Sequence, residues 1–298
     1  MNKVMGGEMV ERKVDVLIVG GGVGGLTLAQ WLTGLGRSWL IVEQAAVLGG
    51  PLANSDYILK WIPGQAEISG RDYLAAMVAQ IDAAHCARAT QLSAVAVDAD
   101  VGQGEFVCTL SHGDVIHAKK MVFACGATPF SPFPESARVI VGPGLQKIAH
   151  IAAGQRVAVL GGGDNAADHA LILAEMGVAV TMLVRGQLRT SAALLQQIRQ
   201  QPMILICTDC QELVLSTNAT GVQVQGEHYD YAVVYFGYQA SPQLQAFPVL
   251  KTAAGALRDG VFAIGDMTQP EFPNILLTQG QAAVVAKQID AQLSQRAK

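Results

Sequence analysis

Apolar and polar positions along the chain fall into blocks of two kinds. Short, almost unbroken apolar runs at Val14–Val19, Ser38–Glu43, Arg156–Leu160 and Val178–Val184 have the length and β-branching of strands buried on both faces. Two of these runs end in glycine-rich segments, Gly20–Gly25 and Gly161–Ala166. Each segment leads into a helical stretch, Leu26–Leu35 in the first case and a run to Met176 in the second, before the next apolar run begins. Strand, glycine turn, helix and strand make one βαβ unit, and the design recurs about 140 residues later. After the first unit, Phe106–Leu110 and Val115–Ala118 around His112–Asp114 predict a hairpin, and Met121–Cys125 a buried strand. After the second, Leu213–Ser216, Val222–Gln225 and Ala232–Phe236 predict strands. The proline-bearing stretches Thr128–Pro134 and Gly237–Pro242 are the expected crossings between lobes. Gly260–Asp266 predicts a short strand, followed beyond Pro270 and Pro273 by a helix over Thr278–Leu293. The expected fold is α/β, with two doubly wound, Rossmann-like nucleotide-binding domains, the second inserted into the first. Residues 1–128 and 241–298 form one and residues 129–240 the other.

Composition narrows the function classes. A chain of 298 residues with 51% hydrophobic and 15% charged positions has the material for two cores and excludes a disordered protein. No apolar run reaches the roughly 18–20 residues of a membrane helix. Met1–Lys13 carries Glu8, Glu11, Arg12 and Lys13 rather than a signal-peptide core, so the expectation is a cytoplasmic protein without a membrane partner. A net charge of −4 without a Lys/Arg cluster argues against nucleic acid. Five cysteines, at 86, 108, 125, 207 and 210, lack the spacing of a disulfide framework and point to a reducing compartment.

The glycine segments carry the chemistry. Gly20, Gly22 and Gly25 satisfy G-x-G-x-x-G between strand and helix, where missing side chains let a pyrophosphate approach the N–H groups of the helix N-terminus. Glu43, followed by Gln44, lies 18 residues past Gly25, at the distance where a carboxylate accepts adenosine ribose hydroxyls and repels a 2′-phosphate. This first site suits FAD or NAD. Gly161, Gly163 and Ala166, with Asn165 between them, give the G-x-G-x-x-A form. Here the second strand ends in Val184-Arg185, with Arg189 four residues on, so the charge at that end is inverted. A guanidinium suits a 2′-phosphate, and the second site is read as favouring NADPH, with NADH kept as the alternative.

In order along the chain, Gly20–Gly25 with Glu43, Leu48–Leu52, Ala124–Pro129, Gly161–Ala166 and Gly260–Asp266 resemble the thioredoxin-reductase-like flavoproteins, from about residue 14 to about residue 292. The resemblance implies FAD in a discontinuous domain, an NAD(P)H domain inserted into it, hydride passing from nicotinamide to flavin, and a homodimer. Carried over motif by motif, Gly50 and Leu52 would lie at the flavin end and Gly126 beside FAD, while Gly265 and Asp266 would meet the ribityl chain. The last helix would point its N-terminus, with the N–H groups of Gln279–Ala282 and the side chains of Gln279 and Gln281, at the flavin. Core packing is the competing reading of that helix.

Departures from the family pattern shape the functional expectation. The redox C-x-x-C that a thioredoxin reductase carries before its second glycine motif is missing from Gly142–His150. A different C-x-x-C, Cys207-Thr-Asp-Cys210, follows the second unit in a segment that reads as strand, where residues three apart face opposite sides, so inert cysteines are the favoured reading. Pro51 and Cys125 replace residues that serve the flavin in the family. Metal spacing is absent. The histidines read as structural, because the cofactors carry the chemistry. The expected activity is an FAD-dependent NAD(P)H oxidoreductase with an external small-molecule or redox-protein acceptor. A ferredoxin- or flavodoxin-NADP reductase, here ending at Lys298 without a flavin-covering extension, and a nucleotide-binding protein without turnover are the alternatives.

Overall fold

The computed structural model describes residues 10–55, 57–81, 90–92, 96–101, 105–241 and 257–295. Two compact units emerge, one made of Met1–Ala127 and Ala240–Lys298, the other of Thr128–Gln239. Cys86, Pro242 and the outer ends of the first domain lie outside the described residues.

The first unit opens with β1 (Glu11–Val19), α1 (Val23–Gly34), β2 (Trp39–Glu43), α2 (Gly70–Ala79), β3 (Thr90–Leu92), β4 (Ala96–Val101), β5 (Phe106–Leu110) and β6 (Val115–Phe123). β1 and β2 run parallel from Val16↔Trp39 to Val19↔Val42, and apolar residues on both of their faces explain the unbroken runs in the sequence. On one face α1 buries Leu26, Leu28, Ala29 and Leu32 against Val16, Ile18, Ile41 and Val122. The Ser69 Oγ accepts from Asp72 N–H at 3.0 Å and caps α2.

The hairpin is present, with Gly113 at φ 98° in its turn, but its second arm and the expected strand Met121–Cys125 are one strand, β6. The pair Lys119-Lys120 disguised the continuity. Lys120 points inward, almost fully buried, and its Nζ donates to Gln292 Oε1. After β6 the chain crosses through β7 (Ala127–Pro129).

The second unit contains β8 (Val139–Val141), the short α3 (Leu145–Ile148), β9 (Arg156–Leu160), α4 (Asp164–Glu175), β10 (Ala179–Leu183), α5 (Ala192–Gln200), β11 (Ile204–Cys207), β12 (Leu215–Thr217), β13 (Val222–Val224), β14 (Glu227–Tyr229) and β15 (Tyr231–Val234). Its main sheet is parallel, in the order β11-β10-β9-β15-β8. Val157, Val159 and Val180 face the helices, while Ala158, Leu160 and Leu183 face the meander β12–β14. β14 went unread in the sequence because its turn, Gln225-Gly226, lacks the usual Asn-Gly signal. Both residues nevertheless take positive φ, 54° and 82°, as a two-residue hairpin of primed type requires.

The return crossing β16 (Tyr238–Ala240) pairs with β7. The first sheet is then completed by β17 (Val261–Ala263), parallel to β6 from Val261↔Met121 to Ala263↔Phe123. β6 therefore changes partners midway, since its first half pairs antiparallel with β5. The final helix, α6 (Ile275–Gln295), starts three residues before the expected Thr278. Asn274 sets that start, its Oδ1 accepting from Leu277 N–H at 3.1 Å and its carbonyl from Thr278 N–H at 3.1 Å. Among the described residues no helix is long and apolar enough to cross a membrane.

Candidate functional site

In the first unit, four chain turns gather at the carboxyl ends of the parallel strands, the edge where open α/β sheets bind ligands. Gly20 N–H donates to Val42 O at 2.8 Å, Ala124 N–H to Val19 O at 2.7 Å, and Ile264 N–H to Phe123 O at 2.9 Å, so the turns after β1, β6 and β17 are stitched to their neighbours. Within the glycine turn the three motif positions differ in kind. A Cβ on Gly20, where φ is 108°, would stand 2.5 Å from Ala124 O, and one on Gly25 would stand 2.0 Å from Gly20 O. A Cβ on Gly22 meets no protein atom within 4 Å. The outer glycines are thus required by the packing of helix on strand, and the middle one borders open space. Gly22 is also the N-cap of α1 without a side-chain cap, and the first turn carries no acidic residue. An uncapped helix N-terminus beside a cradle that a Cβ would fill fits a pyrophosphate.

Glu43 ends β2 and is 9% exposed. Its Oε2 accepts from Gly21 N–H at 2.7 Å and its Oε1 from Ala45 N–H at 2.8 Å. The carboxylate therefore braces the glycine turn, and each oxygen retains a lone pair for a ribose hydroxyl. Gln44 beside it is exposed. Leu48–Gly50 folds over the same turn: Gly49 N–H donates to Gly21 O at 2.8 Å, and a Cβ on Gly50 would lie 3.8 Å from Gly22 Cα. Leu52 belongs to the unit's core, and Pro51 is exposed.

At the other end of the edge, Gly126 takes φ 69° with open space where a Cβ would be. The Cys125 Sγ donates to Val19 O at 3.3 Å. Burial, followed by the charge of Glu43, pushes its thiol up to about 12, so it stays protonated and inert. Asp266 Oδ1 accepts from Asn274 N–H at 3.0 Å and Thr278 Oγ1 at 3.3 Å, tying the turn after β17 to the start of α6. Gln281 Oε1 accepts from Gly265 N–H at 2.6 Å, and Gln279 Oε1 from Tyr73 Oη at 3.1 Å. One expectation is corrected here: Gln279–Ala282 lie in the second turn of α6, where helical bonds engage their N–H groups. The N–H groups at this helix start belong to Ile275–Leu277 instead. Asn274, Thr278 and Tyr73 are structural partners that the sequence reading missed; Asn274, an Asn just ahead of an apolar run, carried a cap signal.

The second unit repeats the geometry with different parts. A Cβ on Gly161, at φ 138°, would stand 2.5 Å from Tyr235 O, whereas one on Gly163 meets nothing within 4 Å. Gly163 is the uncapped N-cap of α4, and Ala166 is fully buried. In place of a carboxylate like Glu43, a backbone bond holds this turn: Arg189 N–H donates to Gly162 O at 2.6 Å in a parallel bridge between Gly163 and Arg189. The side chains of Arg185, Arg189 and Asn165 are exposed. Asp164 accepts from Thr190 Oγ1 at 2.6 Å and Ser191 N–H at 3.0 Å, which fixes the loop bearing the arginines.

His169, 2% exposed, is structural. Its Nδ1 lies 2.8 Å from Asn165 O, and its Nε2 accepts from Gly144 N–H at 3.1 Å. Cys207 and Cys210 are free thiols, but they do not face opposite sides as the strand reading required. β11 ends at Cys207, Asp209 takes φ 60°, and both cysteines pack on the meander-facing core. Among the described residues no cluster of three ligands suits a metal ion.

Comparison with known proteins gives the site its context. A family model described as pyridine nucleotide-disulphide oxidoreductase matches residues 14–288. A ferredoxin–NADP reductase of Salinispora tropica is 30% identical over 65% of this chain and 62% of that protein's own length. One of Leuconostoc citreum is 24% identical over 94% of this chain and 87% of that protein. Thioredoxin reductase of Lactococcus lactis shares the fold, with a TM-score of 0.75 over 93% of this chain and 97% of that one at 21% identity.

Proposed function

The chain belongs to the pyridine nucleotide-disulphide oxidoreductase family and is an FAD-dependent NAD(P)H oxidoreductase, and from that premise we propose which residues serve each cofactor. The first unit holds FAD: Gly20, Gly22, Gly25 and the N-terminus of α1 take the pyrophosphate, and Glu43 with Gln44 the adenosine ribose. Gly50, Gly126, Gly265 and Asp266 border the flavin end, with Leu52, Gln279 and Gln281 supporting it from the core and from α6. The second unit holds NADPH on Gly161, Gly163, Asn165 and Ala166, with Arg185 and Arg189 at the 2′-phosphate. The observation that carries this assignment is the pair of glycine turns, each with an open middle position at an uncapped helix N-terminus.

Bound FAD supplies a two-electron acceptor for the nicotinamide hydride, and the chain supplies position and field. Glu43 fixes the first glycine turn through Gly21 and disfavours a 2′-phosphate there. The exposed arginines give the second turn the opposite preference. With no cysteine in Gly142–His150 and Cys125 held protonated, the acceptor lies outside the chain. Ferredoxin–NADP reductases among its relatives favour an iron–sulfur carrier protein over a small disulfide. The same reading makes the enzyme a cytoplasmic homodimer, which sedimentation checks. Anaerobic mixing of the flavin-loaded protein with NADPH is expected to bleach the yellow absorption, and added ferredoxin to restore it. Flavin that keeps its colour in excess NADPH would overturn the proposal.

A further inference from the structure

One sequence motif, Cys207-Thr-Asp-Cys210, has no part in the hydride path. Its geometry is set by Val184, the residue just past β10. Val184 N–H donates to Cys207 O at 2.9 Å, and Cys210 N–H donates to Val184 O at 3.1 Å. In a regular parallel ladder a residue bonds to two positions of the neighbouring strand that are two apart. Here they are three apart, so one extra residue is accommodated as a bulge, and Asp209 at φ 60° is where the chain absorbs it. The bulge restores parity: Cys207 and Cys210 occupy places equivalent to two residues of one strand face. Both side chains accordingly pack against the same core, on the meander side of the sheet. Positions two strand rises apart have Cα atoms about 6.6 Å apart, at the upper limit of the roughly 4.4–6.8 Å that a disulfide spans. Parallel side chains hold their Cβ atoms wider than the about 3.8 Å a bridge requires, so closing it draws the two positions, and the Val184 backbone bonded to both, out of place. The Cys210 Sγ turns back to lie 3.6 Å from Cys207 O. Both thiols are partly exposed, unlike the buried Cys108.

Val184 also reaches the nucleotide turn. A Cβ on Gly162 would stand 2.5 Å from Val184 Cγ1, so this side chain packs directly under the turn, and Arg185 follows it in the chain. One residue thus has its backbone held by both cysteines and its side chain under the glycine turn.

We propose that Cys207 and Cys210 form a vicinal dithiol that small disulfides oxidise, and that closing the bridge displaces Val184 and weakens binding of the nicotinamide nucleotide. In the exchange one cysteine thiolate attacks a low-molecular-weight disulfide and releases one thiol. The second cysteine then displaces the other, so two protein thiols and one small disulfide give one protein disulfide and two small thiols. The coupling is reciprocal, and bound NADPH protects the dithiol. The effect on affinity rests on reading the second unit as the nicotinamide site; bridge formation does not.

The flavin-loaded protein is incubated with oxidised glutathione, its remaining thiols are alkylated, and its peptides are weighed. The expected result is a peptide containing residues 207 and 210, lighter by two hydrogen atoms than its reduced form, restored by dithiothreitol and absent from Cys210→Ser. Phenylarsine oxide, which bridges two neighbouring thiols with loss of water, is expected to block the same pair in the untreated protein. The KM for NADPH is expected to rise at least about fivefold in the bridged wild type and to return after dithiothreitol. It is expected to stay unchanged in the glutathione-treated double variant Cys207→Ser/Cys210→Ser, which forms neither the bridge nor a mixed disulfide at this motif. Failure of both the bridge and the arsenical adduct overturns the dithiol. A bridge that leaves the NADPH KM unaltered overturns the coupling through Val184. If the protein oxidises no NADPH at all, the functional reading fails while the peptide masses still decide the dithiol.

Discussion

The two glycine turns solve one problem with different materials. Each must be held against the end of the following strand, with the middle glycine left open. In the first unit a buried carboxylate does this, Glu43 accepting from Gly21 N–H. In the second the backbone of Arg189 does it, donating to Gly162 O, and the charged side chains at that end stay exposed. The third motif position differs too. Gly25 has its helix so close to the strand that a Cβ would stand 2.0 Å from Gly20 O, whereas Ala166 carries a methyl in the equivalent place. The lesson is that a charge at the strand end can be part of the turn's architecture or purely a reader of the ligand, and the motif spacing alone does not distinguish them.

The largest effects separate glycines that serve packing from glycines that serve the ligand. Gly25→Ala forces a methyl onto a backbone oxygen and is expected to cost at least about 3 kcal/mol in denaturant titrations, with FAD lost as a consequence. Gly22→Ala and Gly163→Ala meet no protein atom and have extended backbone angles open to alanine, φ −77° and −92°. Their stability without ligand is expected to be unchanged or raised by about 0.5–1 kcal/mol, while FAD retention falls in the first and the KM for NADPH rises in the second. Full FAD retention by Gly22→Ala would show that the open space is not the cradle.

Exchanging the strand-end charges has a smaller effect and tests the comparison itself. Glu43→Gln replaces one acceptor oxygen by an amide donor, leaving a backbone N–H of Gly21 or Ala45 facing a donor, at a cost of about 1–3 kcal/mol. Arg185→Ala removes nothing that holds the turn. Its melting temperature is expected to match the wild type, with the KM for NADPH raised about tenfold and that for NADH nearly unchanged. Equal effects on both coenzymes would show that Arg185 does not read the phosphate.

Much of this was legible in the sequence because strand, glycine turn and helix are local. The apolar runs and the glycines at 20, 22, 25, 161 and 163 needed no long-range information. What stayed hidden depends on contacts remote in sequence. Lys120 looks like a strand break until Gln292 receives its amine. The N-terminus of α6 shifts because Asp266 holds Asn274 and Thr278. The cysteines at 207 and 210 appear to diverge until Val184 shows the extra residue between them. In each case one or two hydrogen bonds to a residue outside the segment override the local period.

The smallest effect concerns the buried helix position that follows each turn by the same interval, Leu28 in α1 and His169 in α4, both essentially inaccessible. Leucine there has no titration. His169 is held neutral: Gly144 N–H donates to Nε2 at 3.1 Å, so the ring proton sits on Nδ1 and is donated to Asn165 O. Burial holds its pKa below the ordinary 6.5, outweighing the opposing pull of the Asn165 carbonyl and Asp168. Below pH 6.5 the unfolded chain takes up a proton that the folded ring refuses. Stability is therefore complete above that value and falls as the pH drops towards the folded pKa, by up to about 1.4 kcal/mol per pH unit. The carboxyls of Asp15 and Asp114 have values lowered from 3.8 and lose their contributions only in more acidic solution, so the two windows separate. Melting temperatures between pH 7 and 5 are expected to decline in the wild type and to flatten in His169→Leu, which gives the second unit the residue type of the first. An equal slope in both proteins would assign the decline to another group.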